Sequence, residues 1–189
     1  GRVYGYGHVY NCGYVYGNGQ VYGNGQVYGN GHVYGNGRVF GHGYVCGYGR
    51  VYENGCVNGN GHVYDSGRVC GYGFVNGNGS VGGSGLVSGY GHVYDNGCVS
   101  GTAYITDHAC IAGSGSVTSN DDFATVSGFG TINRSTTFFR CKDKRIRVQC
   151  GCFYGTINQF RKQIKKTREG DIAECYLLIA DLMEKRFSK

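Results

Sequence analysis

The chain has 189 residues, 38 of them Gly and 18 Tyr, with no Pro or Trp and a formal net charge of +6. That length allows one domain or a domain plus a module; no apolar run is long enough to span a bilayer, and no charged segment followed by an apolar stretch opens the sequence as in a signal peptide. Gly spacings of two and four exclude collagen, and an aliphatic residue on a fixed period sets the chain apart from disordered Gly-rich tracts.

From Val3 onward every sixth residue is apolar: Val through Val99, then Ile105, Ile111, Val117 and Phe123, a run of 21 positions. Gly stands two residues before each of them up to Gly97, followed by Ala103, Ala109 and Gly115. A period of six fits no α-helix, whose faces recur every 3.6 residues or so. It fits a short strand followed by a tight corner. Alternation puts the Val and the small residue two before it on one inward face, with Gln20 and Tyr22, for example, pointing outward. Gly-Asn pairs supply the corners, because both residues tolerate positive φ. At Asp121 the rule breaks and the phase slips by three, to Val126 and Ile132, which marks where the prism begins to close.

This phrase, seen unaltered in Gly-Asn-Gly-Gln-Val-Tyr at 17–22 and 23–28, resembles the hexapeptide repeat of left-handed parallel β-helices. In that family three hexads make one triangular coil. The resemblance therefore implies about seven coils over residues 1–133, a prism roughly 34 Å long. A closer likeness is to uncharacterised bacterial proteins with a Val-x-Gly/Asp-Asn-Ala-x phrase. Here Gly replaces most of that Ala, which narrows the interior and leaves Val nearly alone in the core.

Such a coil stacks residues 18 apart. Tyr16, Tyr34 and Tyr52 then form one outward ladder, continued by Cys70 and Ser88; Tyr4, Tyr22 and Phe40 form a second, and Tyr10 and Tyr28 a third, with Cys46 next. Stacked aromatics support the rungs by tenths of a kcal/mol to about 1 each. Tyr16, Tyr22, Tyr28, Tyr34 and Tyr52 are also a candidate interface for a protein partner or for a homo-oligomer, dimer or trimer, since contiguous exposed aromatics mark interfaces. No repeat cysteine lies 18 residues from another, so a disulfide ladder is not expected, and the ten thiols fit a reduced bacterial cytoplasm with no membrane partner.

Most well-known proteins of the resembled family are acyltransferases, with a His near a subunit junction and a loop thrown out between coils to complete an acyl-CoA pocket. The unbroken period leaves no such loop. His8, His32, His62 and His92 fill an outward slot that elsewhere holds Gln, Arg, Ser or Cys, a solvated position and not that of a general base. His108 beside Asp107 is the best pair the sequence offers. Glu53, Asp65, Asp95 and Asp107 replace corner Gly without becoming coil neighbours. The expectation is no enzyme, no cofactor and no metal.

Near residue 134 the composition changes. Residues 1–122 hold four bases and six acids, net −2; residues 123–189 hold 14 bases and six acids, net +8. Strands are expected at 136–141 and 145–152 around a Lys-Asp-Lys turn. Thr156 with Gln159 makes a capping box for a helix to about Glu169, ended by Gly170. Asp171 with Glu174 opens a second helix. Apolar stripes run through Ile157, Phe160 and Ile164, then through Ile172, Tyr176, Ile179, Met183 and Phe187. The fold class is mainly β, a left-handed parallel β-helix with a small α+β cap of one hairpin and two helices over 134–189. Such a cap covers the unpaired edges that end a solenoid.

Residues 134–168 carry 11 bases and one acid, more than solubility requires. Arg140, Lys142, Lys144, Arg145, Arg147, Arg161, Lys162, Lys165, Lys166 and Arg168 form a candidate surface for nucleic acid, through phosphates without base reading, or for an acidic protein. Cys141, Cys150, Cys152 and Cys175 do not show the usual zinc spacing. The phrase Cys-Gly-Cys-Phe-Tyr-Gly-Thr-Ile-Asn-Gln-Phe at 150–160 resembles a C-terminal module of phage and prophage proteins. That resemblance implies a rigid binding or assembly protein encoded by a phage or mobile element. An inhibitor of bacterial defence such as an anti-CRISPR protein is one version; a virion or cell-surface component is another.

Overall fold

A computed structural model describes residues 1–129 and 134–188, so the expectation for Ile132 lies outside the described residues. Twenty two-residue strands, β1 (Arg2–Val3) to β20 (Ser116–Val117), recur every six residues. Each pairs in parallel with its counterpart 18 residues away, as Val21 does with Val3 and with Val39. Three parallel sheets of seven, seven and six strands result, the faces of a three-sided solenoid about 29 Å along its axis.

The hexad explains the shape. Every Val or Ile from Val21 to Val117 in the period is fully buried in one continuous core. The residue two before each is Gly or, at Ala103 and Ala109, Ala, and at most of the Gly positions the next coil lies so close that a Cβ would collide. At Gly25 it would sit 2.7 Å from the Val39 carbonyl oxygen. At the corners the backbone turns through positive φ, +60° at Gly23, and Asn11, Glu53, Asp65, Asp95 and Asp107 adopt the same conformation.

The period outruns the coil by one position. The coil makes six full turns and two strands of a seventh, and ends at Val117. Ser119 caps a 3-10 turn over Asn120–Asp122, which carries the chain off the coil path. Phe123 therefore opens a different element, β21 (Phe123–Phe129). It is joined by β22 (Arg134–Arg140), β23 (Ile146–Cys150) and β24 (Phe153–Thr156) in a four-stranded antiparallel sheet in chain order. The expected hairpin is the middle of this sheet, which gains one strand on either side.

The sheet has two apolar faces. Phe139 and Cys141 join the valine core, whereas Phe138 and Val148 pack beneath α1 (Ile157–Thr167) and α2 (Gly170–Phe187). The sheet thus lies across the C-terminal end of the solenoid, with the helices on its far side. It also answers the last coil's polar groups: Thr137 Oγ1 accepts from the Cys110 amide at 3.0 Å, and the Tyr154 hydroxyl from the Ser114 amide at 3.3 Å. In return the Lys142 amide donates to the Ser114 carbonyl at 3.1 Å.

The capping box of α1 forms as expected, the Gln159 amide donating to Thr156 Oγ1 and Gln159 Oε1 accepting from the Thr156 amide. Its end differs. The helix stops at Thr167 with Arg168 as its C-cap, and Gly170, at φ +58°, begins α2 instead of closing α1. Glu169 precedes α2 without a side-chain capping bond, so the expected cap by Asp171 and Glu174 does not form. Ile157, Phe160, Ile164, Tyr176, Met183 and Phe187 are buried as their spacing implied. Ala180 completes the face of α2 that Ile172 and Ile179 only flank.

Candidate functional site

The eleven cations of residues 134–168 divide by what they touch. Three are taken up inside the cap. Arg140 Nε lies 3.3 Å from Asp122, Arg147 pairs with Asp143 at 3.1 Å, and Arg161 bridges Asp181 at 2.7 Å and Glu184 at 2.6 Å, tying α1 to α2. Glu184 and then Asp181 hold the Arg161 guanidinium in its charged form by hydrogen bonds. Such pairs tie β22 to the turn at Asp122, β23 to its own turn and α1 to α2, and leave these three cations less available to a partner.

The other eight have no carboxylate within 4.0 Å among the described residues. They fall into two groups. Lys142, Lys144 and Arg145 surround the β22–β23 turn at the solenoid end, where Lys144 takes φ +62° and Asp143 accepts from the Arg145 amide at 3.0 Å. Lys162, Lys165 and Lys166 are exposed on α1, whose opposite face is buried. Arg168 follows at its C-terminus and faces Arg134 across a cleft of about 290 Å³.

Cys150, Cys152, Phe153, Gln163 and Thr167 help line that cleft. Arg134 lies against the turn at Gly151, where φ is +57° and a Cβ would meet the guanidinium at 2.6 Å. Sequence reasoning passed over Arg134, which is distant in the chain from Lys162–Arg168; its nearness to them follows from the sheet order. Lys165 and Lys166 also complement the negative end of the helix dipole, a structural role that does not depend on a partner. The chemistry on offer is a pair of guanidiniums beside three ammonium groups, suited to oxyanions presented in series.

The aromatic residues stack as the 18-residue register requires. Tyr16–Tyr34–Tyr52 have ring centroids 4.9 and 5.0 Å apart, Tyr4–Tyr22–Phe40 are 5.0 and 4.7 Å apart, and Tyr10–Tyr28 are 5.1 Å apart. Stacking buries part of each ring. Tyr22, Tyr28, Tyr34 and Tyr52 are half-buried and Tyr16 is exposed. A hydrogen bond with Cys46, with burial adding to it, pushes the Tyr28 hydroxyl up to about 12. Burial first and then a hydrogen bond with Cys70 raise Tyr52 likewise, so thiols close two of the ladders.

Two further ladder types lie at the corners. Asn18–Asn36–Asn54 bond side chain to side chain at 3.3 Å each, and Asn60–Asn78–Asn96 at 3.1 Å each. Tyr72, Tyr90 and His108 stack at 5.1 and 5.0 Å. All were detectable from the same spacing of 18. His108 is therefore part of a stack on Tyr90, while Asp107 serves the corner at φ +56°. His8, His32, His62 and His92 each open a strand on an outward face.

No group of three or more His, Cys, Asp or Glu suited to a metal occurs among the described residues. All ten cysteines are free thiols. No described helix is long and apolar enough to cross a membrane. Comparison of the chain with protein-family models, curated proteins and solved structures returned no match.

Proposed function

We propose that this chain is a non-enzymatic binding protein: a rigid solenoid that presents the basic face of its cap to a polyanion, nucleic acid in the first instance. The observation that supports it most is the set of eight cations without carboxylate partners among the described residues, five of which converge on α1 and the Arg134–Arg168 cleft. An array of that kind meets successive phosphates and carries no base-reading geometry, so binding should be insensitive to sequence and sensitive to salt. The solenoid supports the reading as a stiff mount, because each coil is locked to the next by backbone pairing along all three sheets.

The left-handed sense of the coil and kinship with hexapeptide-repeat proteins belong to this reading and rest on the twenty consecutive hexads. Origin in a phage, and an anti-CRISPR role, rest on the resemblance of residues 150–160 alone, and location in a bacterial cytoplasm goes with them. The half-buried tyrosine ladders are assigned first to holding the rungs together.

The test is charge reversal. Lys162→Glu, Lys165→Glu, Lys166→Glu and Arg168→Glu together should abolish retention of labelled single- and double-stranded oligonucleotides. The strand-rich circular dichroism spectrum should stay unchanged, since all four side chains are exposed. For the parent chain, the logarithm of the affinity should fall linearly with the logarithm of salt concentration, losing about 0.7–0.9 units of slope per contact removed. Retention that survives the reversal would leave the tail as a cap only. Loss of binding to an acidic protein but not to oligonucleotides would reassign the partner.

A further inference from the structure

Helix α2 is apolar on two opposite faces. Tyr176, Ala180, Met183 and Phe187 are buried against the sheet and α1. On the far side Leu178 and Leu182 are each 60% exposed, as large apolar side chains that the described residues do not cover. Cys175 is exposed on the same side. A helix docked on a core by one face normally carries polar residues on the other, as α1 does with Lys162, Lys165 and Lys166.

The exposed stripe has a definite spacing. Asp171, Cys175, Leu178, Leu182 and Lys185 follow one another at intervals of four, three, four and three, the seam of a two-helix coiled coil. It extends about 21 Å along the helix. Its ends differ in charge. Asp171 and Glu174 lie in the first half and Lys185 in the last turn, and none of them has an ion-pair partner among the described residues. The remaining charges of the helix are engaged: Asp181 and Glu184 hold Arg161, and Arg186 reaches the Asn120 and Phe123 carbonyls.

We infer that this face pairs with the same face of a second copy of the chain, the two α2 helices running antiparallel about a two-fold axis that crosses the seam between Leu178 and Leu182. In that arrangement Leu178 of one copy meets Leu182 of the other at both ends of a four-leucine centre. In that register Lys185 of each copy falls level with Cys175 of its mate, one residue from Glu174 and four, or about 6 Å, from Asp171, so each lysine is brought to the acidic end of the facing helix. A parallel pairing would set acid on acid and lysine on lysine, and repulsion disfavours it. The surface is self-complementary, as an isologous interface must be. One helix pair is small for an interface, so the dimer is weak and exchanging. The dimer would place two basic α1 faces on one particle, although the pairing stands independently of what those faces bind.

Sedimentation equilibrium of the full chain under reducing conditions, from micromolar to millimolar, tests it. The expected result is a monomer–dimer equilibrium whose dissociation constant rises at least about tenfold in Leu178→Lys/Leu182→Lys and rises with added salt in the parent. Both leucines are exposed, so circular dichroism of that variant should match the parent. Orientation is read by oxidation in a background of Cys12→Ser, Cys152→Ser and Cys175→Ser. A mixture of Leu178→Cys chains with Leu182→Cys chains should give a mixed disulfide dimer, and neither variant alone should cross-link efficiently. A chain that stays monomeric at millimolar concentration overturns the inference. So does a dimer that the lysine substitutions leave intact, or one in which Leu178→Cys cross-links to itself.

Discussion

Asp122 sits where the coil hands over to the cap. Its carboxylate accepts the Thr118 amide at 2.9 Å, the Thr118 hydroxyl at 2.7 Å and the Ser119 amide at 3.1 Å, with Arg140 of β22 beside it at 3.3 Å. Burial acts to raise its pKa, but those three hydrogen bonds and Arg140 together outweigh it and hold the group below the ordinary 3.8. An acid whose folded pKa is depressed stabilises the fold fully above its unfolded value, and that contribution is lost as pH falls through the folded value. The junction should therefore be unaffected near neutral pH and weaken as the pH falls toward 3.8 and below. Asp122→Asn keeps the shape but not the charge, and is expected to cost about 1.5–3 kcal/mol at neutral pH. Urea midpoints for parent and variant, measured from neutral to acid pH, check both parts: the two curves should converge in acid. Curves that run parallel throughout would show that Asp122 is not the group responsible. Sequence reading marked only its neighbour Asp121, as a break in a period, and passed over Asp122, because the partners that define its role lie on both sides of the junction.

At the scale of the element, the hexad is a packing unit whose tolerance can be graded. A Cβ at Gly55 would lie 2.4 Å from the Val69 carbonyl oxygen, which is backbone and cannot move aside cheaply. At Gly85, in the same slot five hexads later, nothing comes nearer than 3.0 Å. The chain itself accepts Ala in this slot at Ala103 and Ala109, both buried. Gly55→Ala is expected to destabilise by about 1–3 kcal/mol through overpacking. Gly85→Ala should be close to neutral, since restricting the unfolded chain returns about 0.4–1 kcal/mol. Denaturant unfolding of the two variants side by side measures the difference, and equal losses would mean that neighbouring coils spread apart at no cost. The same regularity explains why the coil was legible in the sequence. One local phrase sets the strand, the corner and the 18-residue register, so twenty repetitions state one geometry twenty times. The strands β21 and β24 carry no such redundancy. Phe123 satisfies the period by type yet starts an antiparallel strand, because Ser119 and Asp122 cap a turn just before it. The basic face was legible as composition only, since pairing with Asp122, Asp143, Asp181 and Glu184 decides which cations remain free.

For the whole molecule, the consequence of solenoid architecture is that stability is passed from coil to coil and depends on how the end is closed. Phe139 does the closing. It is fully buried in the valine core, and a Cβ added at Gly115 would come within 2.9 Å of its ring. On the opposite face of the same strand Phe138 stacks edge-on to Phe160 of α1, so β22 couples the last coil to the helices that carry the basic face. Phe139→Ala should cost about 3–5 kcal/mol from lost burial and the cavity left behind. Because each coil contacts only its neighbours, the loss should be local in the native state. Amide hydrogen exchange should accelerate at Cys110 and Ser114, which donate to the cap, and at Val117 in the final strand. Exchange in the coils around Val39 and Val57 should stay as in the parent. If exchange instead quickens evenly along all three sheets, the solenoid unfolds as one unit and the cap is not a separable lock. The distinction bears on function: a cap that can loosen without melting the coil leaves a stiff mount with an adjustable binding face at one end.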